Sequence, residues 1–292
     1  MTLLPLYPRR IAAVLLVGIA TLVSLYVATQ YYRIRVAAPR LQAAMRQPDW
    51  PTDAAAAHAK TEQIINPRRI VSFCDLDAEA SLPTAWSMLQ LFLAAGILAL
   101  IARQRKAIGD QWWVLWTVLS VGFVVLALDE GGSLHGSLYL ASTSEEARRE
   151  RGIFYFSWII PAMIGTAVVG LAYLQFLWML PHCTRWLILL AGVGYVGSAL
   201  GGEMAQGWWL AHSMGRDRMG WVAITIVEEA GEMLSIVLFI HTLLCHMRDQ
   251  RIAVLLTVPA DAQASTDVSE SVGKPASMLA PSPAGSLRHT SG

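Results

Sequence analysis

The residues most able to do chemistry in this sequence are acidic side chains that lie within long apolar segments. They are Asp129, Glu130, Glu203, Glu228, Glu229 and Glu232. An acid near the middle of a membrane helix costs roughly 2.5–3.5 kcal/mol on insertion scales. None of these segments carries a Lys or Arg in its core to pair with an acid. Protons, water, mutual hydrogen bonds or bound cations must therefore offset the cost of burying them.

Three of the acids share one predicted helix, and their spacing places them close together. Glu228 and Glu232 are four residues apart and Glu229 and Glu232 are three apart, so each pair lies on one side of a helix. Two carboxylates about 5 Å apart repel by roughly 3 kcal/mol at an effective dielectric constant near 20. Either one member of the pair is protonated or a cation lies between the two.

The helix ends predict that all six acids lie at one level of the membrane. Glu203 is about 10 Å from the end of the fifth predicted span, and Glu228 and Glu232 are about 12–18 Å from the start of the sixth. If the third span extends to residue 140, its two acids lie about 15 Å from that end, on the same side. We therefore expect one site in one leaflet, whose side-chain oxygens meet directly or through one ion or water.

The elements that must position these acids are six apolar segments, each long enough to cross a bilayer. They are predicted at about residues 11–32, 82–102, 112–140, 153–180, 186–210 and 220–245. The chain has 292 residues, 55% hydrophobic and 15% charged, and its mean hydropathy is +0.46. A soluble domain carries about 25% charged residues. The composition therefore predicts an all-α, polytopic membrane helix bundle, and the net charge of +1 gives no reason to expect nucleic acid as a partner.

The six spans form one predicted membrane domain over residues 1–258. The first span is interpreted as a retained signal anchor, with cleavage as the alternative, because its apolar run is longer than a signal-peptide core. The connection 33–81 is predicted as a long polar loop in which the Ala-rich part, from Asp53 to Lys60, forms a short helix. Residues 259–292 are rich in Ser, Pro and Ala and are predicted to be disordered. The even number of spans places both termini on one side and the acids in the other side's leaflet.

Four glycines surround the approach to Glu203 in the fifth predicted span, and they are Gly194, Gly197, Gly201 and Gly202. Gly197 and Gly201 form a small-xxx-small pattern, which lets a neighbouring helix approach closely. We therefore expect another helix to pack against this face.

A histidine follows the acids of the third predicted span. In LALDEGGSLHG, His135 lies five residues after Glu130, and Gly131-Gly132 permits a bend that turns it back toward the acids. This segment and the later VEEAGEMLSIVLF resemble those of bacterial multipass membrane proteins that pair an LDE-x4-H segment with an EE-x2-EM helix. The resemblance implies a multipass protein of the bacterial inner membrane. It does not indicate a substrate or a reaction.

Carboxylates and one histidine form a ligand set suited to Fe, Mn, Zn or Mg. The predicted metal ligands are Asp129, Glu130, His135, Glu203 and Glu232. Glu228 and Glu229 are the predicted catalytic acids, with Glu228 the candidate general base. This predicts a metal-dependent membrane enzyme that acts on a lipid-like or other hydrophobic substrate, with membrane lipids as its surroundings.

Two other functions would explain the same acids. Intramembrane acids form relays in proton- or cation-coupled transporters. The chain shows no inverted repeat, and no acid lies in the opposite half of the membrane to complete a path. The acids could instead form a hydrogen-bonded network that holds the helices in register, which is a structural or assembly role.

Overall fold

The computed structural model describes residues 7–78, 80–133, 144–213 and 218–250. These residues form helices and contain no strand, so the predicted all-α fold class is confirmed. The predicted disordered tail at 259–292 and the predicted ligand His135 lie outside the described residues.

Ten α-helices occur in this part of the chain, and the long ones coincide with the apolar segments of the sequence. They are α1 (Pro8–Tyr32), α2 (Ala38–Met45), α3 (Ala54–Ile65), α4 (Ile70–Phe73), α5 (Leu82–Ala107), α6 (Trp113–Gly132), α7 (Glu145–Glu150), α8 (Ile159–Met179), α9 (His182–His212) and α10 (Arg218–Asp249). Short 3₁₀ turns lie at Pro67–Arg69 and Gly152–Phe154.

Five helical segments of the described chain are long and apolar enough to cross a membrane. They are Pro8–Met45, α5, α6, α8 and α9. These segments indicate a multipass membrane protein. The sixth predicted span, 220–245, falls within α10, which is not one of the five, and its membrane crossing stays a prediction. The 32 residues of α10 pack against α9, α1 and α5, and side chains such as Met233, Ile240 and Leu243 are fully buried.

The connection between α1 and α5 is more helical than the predicted polar loop. A π-helical turn at Arg33–Ala37 joins α1 to α2. This turn ends two residues before Pro39, whose ring does not fit an ordinary helix interior, and the wider π turn accommodates it. The predicted short helix at 53–60 is present as α3, where the Asp53 carboxylate caps the first turn by accepting the Ala56 N–H at 2.8 Å.

Helices α9 and α10 cross in close contact at small residues. A Cβ atom at Gly202 would lie 2.4 Å from the carboxyl carbon of Glu228, and one at Gly231 would lie 2.2 Å from the Ser198 Oγ. Both contacts exist only because the glycines carry no side chain, which lets the two backbones approach.

The predicted small-residue pair at Gly197 and Gly201 is not the contact between these helices. A Cβ atom at either position would meet nothing within 4 Å. The face that meets α10 instead carries Gly194, Ser198 and Gly202, which repeat every four residues along α9. The predicted four-residue spacing of small residues occurs at the contact, but the predicted positions were wrong. The sequence alone does not show which side of α9 faces the next helix.

Replacing Gly202 with alanine is expected to lower the stability of the protein by about 1–3 kcal/mol, because the new Cβ would overlap the buried Glu228 side chain. The adjacent Gly201 offers a matched control. Alanine there meets open space and should leave the stability unchanged or raise it by up to about 1 kcal/mol. Thermal unfolding of both variants in one detergent measures the difference. Equal melting temperatures for the two variants would contradict the close contact at Gly202.

Candidate functional site

A cavity of about 540 Å³ lies between α6, α9 and α10, and we call it the acid-lined cavity. Its walls include all six acids of the predicted spans together with one from the connection before α5. They are Asp77, Asp129, Glu130, Glu203, Glu228, Glu229 and Glu232. The C-terminal parts of α6 and α9 and the N-terminal part of α10 meet here, so these three helix ends lie on the same side of the bundle.

The acids of α6 lie at the end of their helix. α6 ends at Gly132, short of the predicted residue 140, and Ser133 adopts a left-handed conformation with φ of 42°. The low helix propensity of two successive glycines explains this end. Asp129 and Glu130 therefore lie in the last turn, not in the middle of a longer helix. The residues that follow, 134–143, lie outside the described part of the chain.

Glu228 is the most buried of the acids, with 5% of its surface exposed. The Gln206 side-chain amide of α9 donates a hydrogen bond of 2.5 Å from its Nε2 to the Glu228 Oε2. The rest of the Glu228 side chain packs on Gly202 of the same helix. Because α9 supplies both the hydrogen bond and the space, the Glu228 carboxyl is fixed against that helix.

Glu232 lies one turn further along α10 and faces a tyrosine. The Tyr195 hydroxyl of α9 is within hydrogen-bonding reach of the Glu232 carboxyl. The carboxyl groups of Glu130, Glu229 and Glu232 are close enough to one another for their charges to repel. Protonation of one of these carboxyl groups, or a cation among them, would relieve this repulsion.

Sequence reasoning missed two polar residues of α9 that line the cavity, Tyr195 and Gln206. A signal for them was present. Tyr195, Glu203 and Gln206 are separated by eight and three residues, which places them on one side of a helix at 100° per residue. A polar stripe of this kind in an apolar span marks a face that avoids lipid.

Asp77 was also missed, because it lies in the connection before α5 and outside every predicted span. It lines the acid-lined cavity, and the Trp221 indole of α10 is within hydrogen-bonding reach of its carboxyl. Part of the Asp77 side chain is exposed in the cavity, and the protein atoms packed around its carboxyl partly desolvate it. This desolvation, together with the nearby Asp75 carboxylate, raises the pKa of Asp77 to about 6.

The raised pKa of Asp77 predicts a pH dependence of stability. The folded protein favours the neutral carboxyl, so the wild type loses stability as the pH rises through about 6. Asp77→Asn keeps the neutral form at every pH. It should melt higher than the wild type at pH 7.5, and the difference should shrink at pH 5. Melting curves at the two pH values test this, with the exposed Asp49→Asn as control. A difference that does not change with pH would contradict the assignment.

The arrangement of the acids does not by itself make a compact metal centre. Among the His, Cys, Asp and Glu side chains of the described residues, no three or more are arranged to hold a metal ion. The predicted ligands Asp129, Glu130, Glu203 and Glu232 line one cavity without forming such a group. With His135 outside the described residues, the predicted metal site stays a prediction.

An apolar pocket of about 550 Å³ adjoins the acid-lined cavity between α6, α8, α9 and α10. Aromatic side chains such as Phe123, Phe176 and Phe239 contribute to its wall. It shares four wall residues with the acid-lined cavity, and these are Leu126, Thr166, Tyr195 and Val196. A polar and an apolar compartment therefore lie side by side, and the Tyr195 side chain contributes to both.

The whole of this site lies within a recognised family region. Residues 52–247 match the family model described as "Domain of unknown function (DUF8692)". The chain belongs to this family. The DUF8692 region contains the acids of α6, α9 and α10, Asp77 and the apolar pocket, and it excludes α1. No curated protein and no solved structure matches the chain at a significant level.

Proposed function

We propose that this protein is a bacterial inner-membrane enzyme that binds a divalent cation in the acid-lined cavity and acts on a lipid-like substrate. The observation that carries the proposal is that the acid-lined cavity and the apolar pocket share four wall residues. A ligand with a polar group and an apolar chain fits two such adjoining compartments. Together the two volumes suit an amphiphile better than a small polar solute.

The acids of the cavity suit a hard or borderline cation such as Mg, Mn, Fe or Zn. The proposed ligands are Asp129, Glu130, Glu203 and Glu232, with His135. A bound cation would offset the repulsion among the carboxylates and would supply the polarisation that activates water or a substrate oxygen. Glu228 and Glu229 are left to move protons, and the hydrogen bond from Gln206 orients the Glu228 carboxyl for that role.

Elemental analysis of the purified wild type tests the cation. After equilibration with Mg, Mn, Fe(II) and Zn in turn, we expect about one ion of at least one of these metals to remain bound per chain. Chelator should then lower the melting temperature, because an ion that binds only the folded form stabilises it. A wild type without bound metal, whose melting temperature is insensitive to chelator, would contradict the metal-dependent enzyme.

A proton-linked transporter is the second candidate, and one observation favours it. The acids of the described residues form no compact metal-binding group, yet Gln206 and Tyr195 contact two of the carboxyl groups of α10. Such partners can also hold acids that gain and lose protons. Proteoliposomes loaded with a pH-sensitive dye measure this function. Proton uptake that depends on Glu232 would support it.

A further inference from the structure

A second cavity of about 450 Å³ adjoins the acid-lined cavity on the side of α1, and we call it the arginine cavity. Two guanidinium groups contribute to its wall, one from the π turn after α1 and one from the first residue of α10. They are Arg33 and Arg218. The two cavities share Asp77, Leu210 and Trp221 in their walls. A molecule in the acid-lined cavity is therefore next to a pair of arginines.

Arg218 is held in this wall by a neutral side chain. Its Nε and Nη2 donate hydrogen bonds of 3.4 and 3.3 Å to the side-chain oxygen of Gln30. Gln30 belongs to α1 and is buried, with 4% of its surface exposed. Gln30 orients the guanidinium without neutralising it, and the Asp75 carboxylate is also close enough to attract Arg218.

Arg33 is paired through only part of its guanidinium. Its Nη1 lies 3.1 Å from the Asp75 carboxylate, and the charges of Arg33 and Arg218 are close enough to repel. Among the described residues, the carboxylates in the wall of this cavity are Asp75, which pairs with Arg33, and Asp77, which lies on the boundary with the acid-lined cavity. A bound anion would bridge the two guanidinium groups and relieve their repulsion.

Trp209 lies beside the two arginines in the wall of the arginine cavity. The indole Nε1 of Trp209 is buried and has no hydrogen-bond partner among the described residues. Because this nitrogen has almost no accessible surface, it does not face the open space of the cavity. The Trp209 ring packs on Gly220, where a Cβ atom would lie 2.2 Å from the ring. This contact fixes Trp209 against the start of α10.

We propose that the arginine cavity binds the phosphate group of an anionic amphiphile, with Arg33 and Arg218 as its donors. The inference rests on the proposed function, because it names the headgroup class of the same lipid-like substrate. The phosphate lies beside Asp77, the polar centre of the substrate lies in the acid-lined cavity, and the chain extends into the apolar pocket. Arginine binds phosphate in a two-pronged geometry, and two arginines in one cavity suit this anion.

Calorimetric titration with two probes tests the subsite. Protein in a nonionic detergent is titrated with inorganic phosphate and with monododecyl phosphate, and we expect the second probe to bind at least about tenfold more tightly because its chain adds apolar contact. Arg218→Gln should weaken the binding of monododecyl phosphate by about tenfold or more, since charge-assisted hydrogen bonds are lost. Arg248→Gln, an exposed arginine near the other end of α10, should have no effect.

Arg218→Lys is a second variant that keeps the positive charge and removes the planar, two-pronged donor. It should weaken the binding of monododecyl phosphate several-fold, but less than Arg218→Gln does. Equal affinity for the two probes, lost in Arg218→Gln, would establish a free-phosphate site and overturn the headgroup assignment. Absence of binding to the wild type, or equal binding to the wild type and Arg218→Gln, would overturn the anion site altogether.

The metal content of the same samples separates this inference from the proposed function. Arg218→Gln should retain the bound cation of the wild type, because Arg218 does not line the acid-lined cavity. A wild type that binds monododecyl phosphate through Arg218 but holds no metal would support the anion subsite and contradict the metal-dependent enzyme.

Discussion

Glu232→Gln is expected to abolish most of the bound divalent cation and to lower the melting temperature by about 5–10 °C at a cation concentration of 100 times Kd. Glu232 is a proposed ligand in the wall of the acid-lined cavity, where it faces Glu130 and Glu229. Glutamine keeps the size of the side chain and removes the charge that attracts the ion. Elemental analysis and thermal unfolding, each with and without chelator, measure the two effects.

The same substitution has the opposite effect in the proton-linked alternative. Glutamine then mimics the protonated acid and removes a repulsion of roughly 3 kcal/mol between close carboxylates, so the melting temperature should stay level or rise. A metal-free wild type that Glu232→Gln stabilises would therefore exclude the metal-dependent enzyme and favour the transporter. Glu146→Gln on the exposed helix α7 is the matched control and should behave as the wild type in both measurements.

Gly170→Trp is expected to displace a lipid chain from the apolar pocket. Gly170 of α8 lines this pocket, and a Cβ atom there would meet nothing within 4 Å, so an indole can extend into the space without disturbing the fold. Each methylene that loses its contact costs about 0.8 kcal/mol, so two displaced methylenes weaken binding about tenfold. In nanodiscs that contain a phospholipid with a photoreactive acyl chain, crosslinks to the pocket residues should fall by about that factor.

Gly165→Trp provides the matched control for this substitution. Gly165 lies on the same helix with equally open space around it, but it does not line the pocket. Crosslinks to the pocket should stay at the wild-type level in this variant. Crosslinks to Trp178, which is 70% exposed on α8, should be the same in all three proteins. Equal pocket crosslinking in Gly170→Trp and Gly165→Trp would contradict a lipid chain in the apolar pocket.

The helical architecture was largely predictable, because membrane-length apolar segments have few alternatives to a helix. The predicted segments 82–102 and 186–210 lie within α5 and α9, whose ends extend beyond them by a few residues. The helices of the connection 33–81 were less predictable. The π turn at Arg33–Ala37 leaves no hydropathy signal, and only Pro39 marks the place where an ordinary helix is interrupted.

The convergence of the acids was predictable, but the arrangement of the helices around them was not. The count for α6 assumed a helix end at residue 140, whereas α6 ends at Gly132, yet the structure places the acids of α6, α9 and α10 around one cavity. The side of α9 that contacts α10 was not predictable, because Gly197 and Gly201 have the same spacing as the small residues that make the contact. The role of Asp77 could not be predicted for another reason. Nothing in the sequence of a polar connection shows that it folds back over a cavity.

The central position of α10 bears on how the protein is assembled in the membrane. This helix follows all three of its main packing partners, α1, α5 and α9, in the chain. On its own it would carry Glu228, Glu229 and Glu232 into lipid at roughly 2.5–3.5 kcal/mol each. If α10 crosses the membrane as predicted, its stable insertion depends on helices that are already in place, where Gln206 and Tyr195 contact two of its acids. Damage to α9 would be expected to appear first as failed insertion and degradation of the newly made chain, before any defect in a folded protein.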